Sequence, residues 1–455
     1  MSYKNIMIFI LTACFLTAAD TISSNFSFSP WGFFTFGRVE SSINDESTLA
    51  DPDFTNFWIS DFDAGFKATL EVGEYGKIRF NFGYTTGFPI INERMSAPIE
   101  AVKKNFKTYL LDAAMEHTFS INNKHTISTE FGFFPFKYNP QVRNLGEYLF
   151  RSTIYPTVIY NNFDIADEKL VGLHGKYKYA FNDLSNIQAD LLFTSEQNIY
   201  PLHDFSLSYI FTGNFFNFIN LGAGIMHSHL IPIDKKHIIP ADRDEKSLIG
   251  SSNYNFYAFE DNSGNITKYT FKGTKAMGRI TLDPKAFFDL RFFGSEDLKL
   301  YGEINVLGIK NFKGWYENRN NRLVYNLGFN LPGFKILDVL AVEGEYWDNP
   351  YPNALQNVWK QGSPVPYPGD DRTTPNYYRF HDDLDTTYSF KPLTGDEWRW
   401  SIYASKTIFN RLSLICQFAS DHTMRDKYFY NLKSYTEMVP RTKDWYWIAK
   451  IKYSY

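Results

Sequence analysis

The chain has 455 residues, among them 44 Phe, 31 Tyr and 9 Trp, with 21% charged residues and a formal net charge of −4. So small a charge gives no electrostatic footprint for nucleic acid. Mean hydropathy is only −0.33, so the aromatics do not mark a chain that is apolar throughout; they suit strands with one apolar and one polar face.

Residues 1–19 carry Lys4, an apolar stretch from Ile6 to Leu16, and small residues Thr17, Ala18 and Ala19 before Asp20. This is the pattern of a cleaved signal peptide. Leu11 to Cys14 resembles a lipobox, which would make Cys14 a lipidated first residue, but Phe15 and Leu16 extend the apolar run where a tether is polar. Cleavage after Ala19 leaves Cys416 as a lone cysteine and rules out an internal disulfide. No later stretch supplies the roughly 20 apolar residues of a spanning helix. The expected organisation is a signal at 1–19, a short segment at 20–30 and one domain at 31–455.

Along that domain apolar and polar residues alternate over about ten positions, the signature of strands with two unlike faces. Ile78, Phe80, Phe82 and Tyr84 alternate with Lys77, Arg79 and Asn81, and Ile127, Thr129, Phe131 and Phe133 with Ser128 and Glu130. The same rhythm recurs at 187–194, 205–212 and 323–330. Short turns, such as 73–76, 182–185 and 409–411, alternate with long polar or Pro-rich stretches at 43–60, 87–106, 138–166, 230–264, 311–320, 348–394 and 425–442. Segment 283–297 breaks this rule on the short-turn side and predicts a small helix or folded flap. Counting this way gives about sixteen antiparallel strands with both ends at the short-turn rim. A soluble sandwich or propeller does not require this asymmetry of turns.

The last eleven residues are the most specific segment. One face reads Trp445, Trp447, Ala449, Ile451, Tyr453, Tyr455 and the other Tyr446, Ile448, Lys450, Lys452, Ser454. This resembles the closing strand of the bacterial outer-membrane β-barrels, and the length and strand count are porin-like. The resemblance implies an all-β transmembrane barrel in the outer membrane, with long loops outside the cell and short periplasmic turns. It also implies that Tyr453 and Tyr455 signal to the barrel assembly machinery. The implied partners are outer-membrane lipid, small polar solutes and other copies in a homotrimer.

If the apolar faces meet lipid, the polar faces line an aqueous interior. The expected pore-lining residues are Lys67, Lys77, Arg79, Glu130, Lys176, Lys178, Arg279, Glu343, Glu345, Arg399, Lys450 and Lys452. Since the last strand closes against the first, Lys450 and Lys452 should join Lys67, Lys77 and Arg79 in a basic arc. The longest loop, 348–394, is the expected constriction, through Tyr351, Trp359, Tyr367, Asp370 and Asp371. His227 and His229, two apart on a strand, fall on one side, a spacing open to a metal; no third ligand is evident. No nucleophilic triad, phosphate-cradling loop, zinc spacing or nucleic-acid module is recognisable, so no cofactor is expected. The expected function is a channel for passive diffusion of small polar or charged solutes. The alternative is an attachment barrel whose aromatic loops hold a polysaccharide or partner protein, and a barrel hydrolase is the weakest reading.

Overall fold

In a computed structural model the described residues are 24–42, 54–87, 107–122, 124–151, 159, 168–196, 203–232, 256–260, 264–270, 272–288, 291–311, 318–349, 353, 395–423 and 437–454. The strands in chain order are β1 (Ser24–Ser41), β2 (Trp58–Val72), β3 (Gly76–Gly87), β4 (Lys107–Ile121), β5 (His125–Phe136), β6 (Glu168–Asn182), β7 (Ser185–Ser195), β8 (Phe205–Phe215) and β9 (Ile219–Ile231). They continue with β10 (Phe256–Glu260), β11 (Ile266–Thr270), β12 (Gly273–Leu282), β13 (Leu300–Val306), β14 (Leu323–Asn330), β15 (Val339–Trp347), β16 (Trp398–Ile408), β17 (Leu412–Ser420) and β18 (Trp445–Ser454). One helical turn, α1 (Tyr148–Arg151), follows β5.

Sixteen of these strands form a closed barrel; β10 and β11 pair with each other in a separate hairpin within the β9–β12 connection. Each strand pairs antiparallel with its neighbours, and β1 closes the ring on β18, from Trp31 opposite Ser454 to Ser41 opposite Trp445. Closure leaves no unpaired strand edge, the condition for a sheet to cross a bilayer. The barrel begins earlier than expected. Ser24 already pairs with Val72, so residues 24–30 belong to β1, where Phe26 and Phe28 extend its outward column.

The alternation seen in the sequence becomes two surfaces. Phe131, Leu173, Leu191, Phe211, Leu327 and Ile451 project outward and are exposed, Leu327 at 63%. Asp112, Asp190, Glu303, Glu343, Glu345 and Arg399 point inward and are buried. An apolar outer belt around a charged interior is a transmembrane barrel, since this outer face is stable only against hydrocarbon.

The short-turn rim is apolar as well. Phe216, Phe334 and Phe409 sit at positive φ in tight turns, each followed by a second positive-φ residue, the backbone of the turns that favour hairpins. Segment 283–299 there starts with a 3₁₀ turn, Pro284–Phe287, capped by the Asp283 carboxylate, rather than an α-helix. Phe218 packs on Phe287, and Phe293 on Phe334, so adjacent turns are joined by aromatic contacts.

Candidate functional site

The twelve sequence-expected lining residues lie on inward-facing columns. Lys67 shares its column with buried Asp61, Asp63 and Thr69, and Lys176 and Lys178 share theirs with His174. Lys77 follows Arg79, and Glu130 follows Ser128. Arg279 lies with Lys275 and Thr281, and Glu343 and Glu345 with Ala341. Arg399 follows Ser401, and Lys450 and Lys452 follow Tyr446 and Ile448. Tyr453 lies on the outer face, 44% exposed; Tyr455 is outside the described residues. So are Tyr351, Trp359, Tyr367, Asp370 and Asp371, the residues of the expected constriction.

Among the described residues another loop reaches into the interior. Residues 137–151 leave β5 and turn inward across the barrel. In the sixteen-strand ring β15 is the eighth strand from β5 in either direction, so the two stand on opposite walls. Even so, the Glu343 carboxylate of β15 accepts the backbone N–H groups of Arg143 at 2.6 Å and of Asn144 and Leu145 at 2.8 Å each, plus the Tyr301 hydroxyl at 2.8 Å. Three consecutive N–H groups converging on one carboxylate form an anion nest, and the bonds are charge-assisted.

Glu303 on β13 makes a second anchor. Its oxygens accept from the Tyr138 hydroxyl at 2.6 Å, Asn139 Nδ2 at 3.0 Å and the N–H groups of Glu147 and Tyr148 at 3.2 Å each. The loop also braces itself. Gly146 takes a φ of +123°, where a Cβ would come within 2.8 Å of Val142, and Glu147 follows at φ +61°. That strained turn aims the Glu147 carboxyl back at the N–H groups of Tyr138 and Asn139. Burial, with the charge of Glu303 beside it, pushes the Glu147 carboxyl well above the usual carboxylate range. The loop's apolar side, Tyr138, Leu149 and Phe150, packs on Phe134, Leu170, Leu192, Ile210, Met226 and Met277. Apolar contact thus holds it to the β5–β12 wall and carboxylates hold it to β13 and β15.

Towards the long-loop rim a chain of buried ionic contacts links this loop to two others. Tyr148 donates to Glu345, Glu345 pairs with His422, His422 pairs with Glu437, and Glu437 meets Arg399 Nη2 at 3.2 Å. Arg399 also donates to the carbonyls of Val439 and Pro440 at 2.6 and 2.8 Å, which folds segment 437–444 inward. Phe54, Met438 and Val439 then pack on the inward Val39, Ile59, Tyr446 and Ile448. Burial alone would lower the His422 value, but the flanking carboxylates outweigh it and raise it to about 9.

The opposite wall is organised differently. Arg79 forks into three carboxylates, Asp112 at 2.8 Å, Glu116 at 2.6 Å and Glu130, and Glu130 leads on through His174 to Asp190. The expected basic arc across β18, β1, β2 and β3 therefore loses Arg79, whose charge is consumed locally, while its lysines remain. Trp31 lies across Gly65 and Gly83, where a Cβ would come within 2.6–2.9 Å of the indole, and donates to Asn81 at 2.8 Å. Phe33 stacks beside it, with the Lys450 ammonium 4.8 Å from its ring centroid.

The two histidines do not share a face. A β-bulge at the end of β9, with His229 at φ +50°, resets the alternation. His227 meets Thr274 and the outward ring of Tyr209, whereas His229 is buried beside Asp204. Among the described residues no group of three or more His, Cys, Asp or Glu side chains is arranged to hold a metal ion.

No protein-family model matches the chain, and no curated protein does. Solved structures similar to it include OprB of Pseudomonas putida, at 10% identity and a TM-score of 0.45 over 95% of this chain and 94% of that one. A mutant of the Rh. blastica porin is similar at 9% identity and a TM-score of 0.40, over 95% of this chain and 100% of that one.

Proposed function

We propose that this chain is a porin-like channel of the bacterial outer membrane, exported by the signal at 1–19, through which small polar or charged solutes diffuse. The observation that carries this reading is loop 137–151, which crosses the interior of a closed barrel and is anchored on the far wall by Glu343. A loop held this way narrows a wide lumen without relying on the outer mouth. Half-buried polar and aromatic groups, among them Trp31, Phe33, Lys77 and Asn81, line the β1–β3 wall. Loops 137–151 and 437–444 fold inward and bond to the wall, which supports the channel over the attachment reading.

The test is single-channel recording of the refolded mature protein in a planar bilayer at several salt concentrations. Stable ohmic steps that scale with salt are expected, and steps grouped in threes would mark a trimer. A folded, heat-resistant barrel that never conducts would overturn the channel reading.

A further inference from the structure

We infer that the lumen is selective for small anions, such as inorganic phosphate and short carboxylates, and that lysines of β2, β3, β6 and β18 set this preference. The inference rests on the channel reading above. Its ground is a difference in how the inward-facing charges are used.

The inward carboxylates are almost all engaged. Glu303 and Glu343 hold loop 137–151 through backbone and hydroxyl donors, and Glu345 is held by Tyr148 and His422. Asp112, Glu116 and Glu130 share the single positive charge of Arg79, Asp190 bonds His174, and Asp63 accepts from Tyr109. All of these except Glu116 are largely or wholly shielded from solvent.

The lysines are used the opposite way. Lys67, Lys77, Lys176, Lys178 and Lys452 face inward, and among the described residues none makes a hydrogen bond or ion pair. Lys67, Lys178 and Lys452 are exposed. Among the described strand residues the one comparable inward acid is Glu71, opposite Lys77 in the β2–β3 register. Among the solvent-facing inward side chains of these strands lysines therefore outnumber acids, and the charge a passing ion meets there is mainly positive. The lysines fall on two stretches of wall, β18, β2 and β3 about β1, and β6, with β4 and β5 and their Arg79-bound carboxylates between them.

Lysine suits this role. Its ammonium is a flexible, hydrated point charge that attracts an anion without gripping it bidentately, so ions enter and leave. The attraction is screened within about 8 Å at physiological salt, so selectivity should be strongest in dilute electrolyte.

The experiment is the reversal potential of the refolded protein under a KCl gradient at low ionic strength, repeated with potassium phosphate. The expected result is a reversal potential of the sign set by the anion, which inverts in the triple variant Lys67→Glu, Lys178→Glu, Lys452→Glu. It should be unchanged in Lys335→Glu, an exposed position at a short turn. A wild-type channel that prefers potassium overturns the inference and leaves the channel reading standing, whereas no conductance at all overturns the channel reading. Anion preference that survives the triple substitution removes the lysines as its cause. If the triple variant fails to fold, Lys67→Gln, Lys178→Gln and Lys452→Gln are recorded singly; a weaker anion preference is expected in each, and full preference in all three overturns the assignment.

Discussion

The Glu343 carboxylate on β15 accepts the Leu145 N–H at 2.8 Å although the segment carrying Leu145 leaves the barrel wall at β5, on the opposite side. Glu343→Ala removes the shared acceptor of three backbone donors and the Tyr301 hydroxyl. Each buried donor left without a partner costs about 1–3 kcal/mol, so the loop should detach rather than stay in place. Larger single-channel conductance and new proteolytic cleavage within 137–151 are expected, with Glu343→Gln intermediate. Unchanged conductance and full protease resistance would show that the Glu303 anchor and the apolar contacts of Leu149 and Phe150 suffice to hold the loop.

His422, buried between Glu345 and Glu437, makes stability depend on pH in a defined window. Its folded value of about 9 lies above the ordinary 6.5, so its contribution is complete below pH 6.5 and is lost as pH rises through 9. Asp396, raised by burial to about 7, has finished titrating by pH 8. Between pH 6.5 and 9 the unfolding temperature of the wild type should therefore fall relative to that of His422→Gln. An equal slope in the variant assigns the titration elsewhere.

Arg79→Ala leaves Asp112, Glu116 and Glu130 crowded together without their counter-ion. Breaking such a largely buried cluster costs about 3–5 kcal/mol, to be read as a drop in the temperature at which the barrel loses its heat-resistant mobility. Arg79→Lys should rescue only part of it, because a single ammonium cannot fork to three carboxylates. Equal stability of all three proteins would contradict the clamp.

Charge on the outer belt and charge on the inner face should differ in effect. Leu191→Arg and Leu327→Arg should each cost about 2–4 kcal/mol near the midplane, whereas Thr126→Arg, at a half-exposed inward position, should fold normally. Asn326 faces inward too, yet is only 4% exposed and donates to the Gly344 carbonyl. Charge there should be rejected for lack of space, so facing inward is not by itself tolerance. Urea titration of variants refolded in lipid vesicles separates these cases.

The chain sequence by itself determined the shell. Period-two alternation is local, so Leu327 and Asn326, or Lys450 and Ile451, are assigned to opposite faces without knowing what they touch. The alternation of short turns and long loops likewise yields sixteen strands, because each hairpin is a neighbouring pair in the chain. The alternation failed where the backbone departed from it, at His229, whose positive φ leaves no mark in the side-chain pattern. The β10–β11 hairpin inside a long connection was also not legible, since nothing there requires one buried face.

Only the tertiary structure decided the interior. The sequence pointed to the longest loop, 348–394, by its prolines and aromatics; that loop lies almost wholly outside the described residues, and among the described ones the loop that crosses the barrel is 137–151. What draws it in is a carboxylate about two hundred residues further along, Glu343, bonded to backbone N–H groups of Arg143, Asn144 and Leu145. Backbone donors are the same in every residue, so no side-chain pattern announces them. For the same reason a sequence shows which charges face inward but not which are spent in bonds, and only the fold separates Arg79 and Glu343, both consumed, from Lys67 and Lys452, both left facing the lumen.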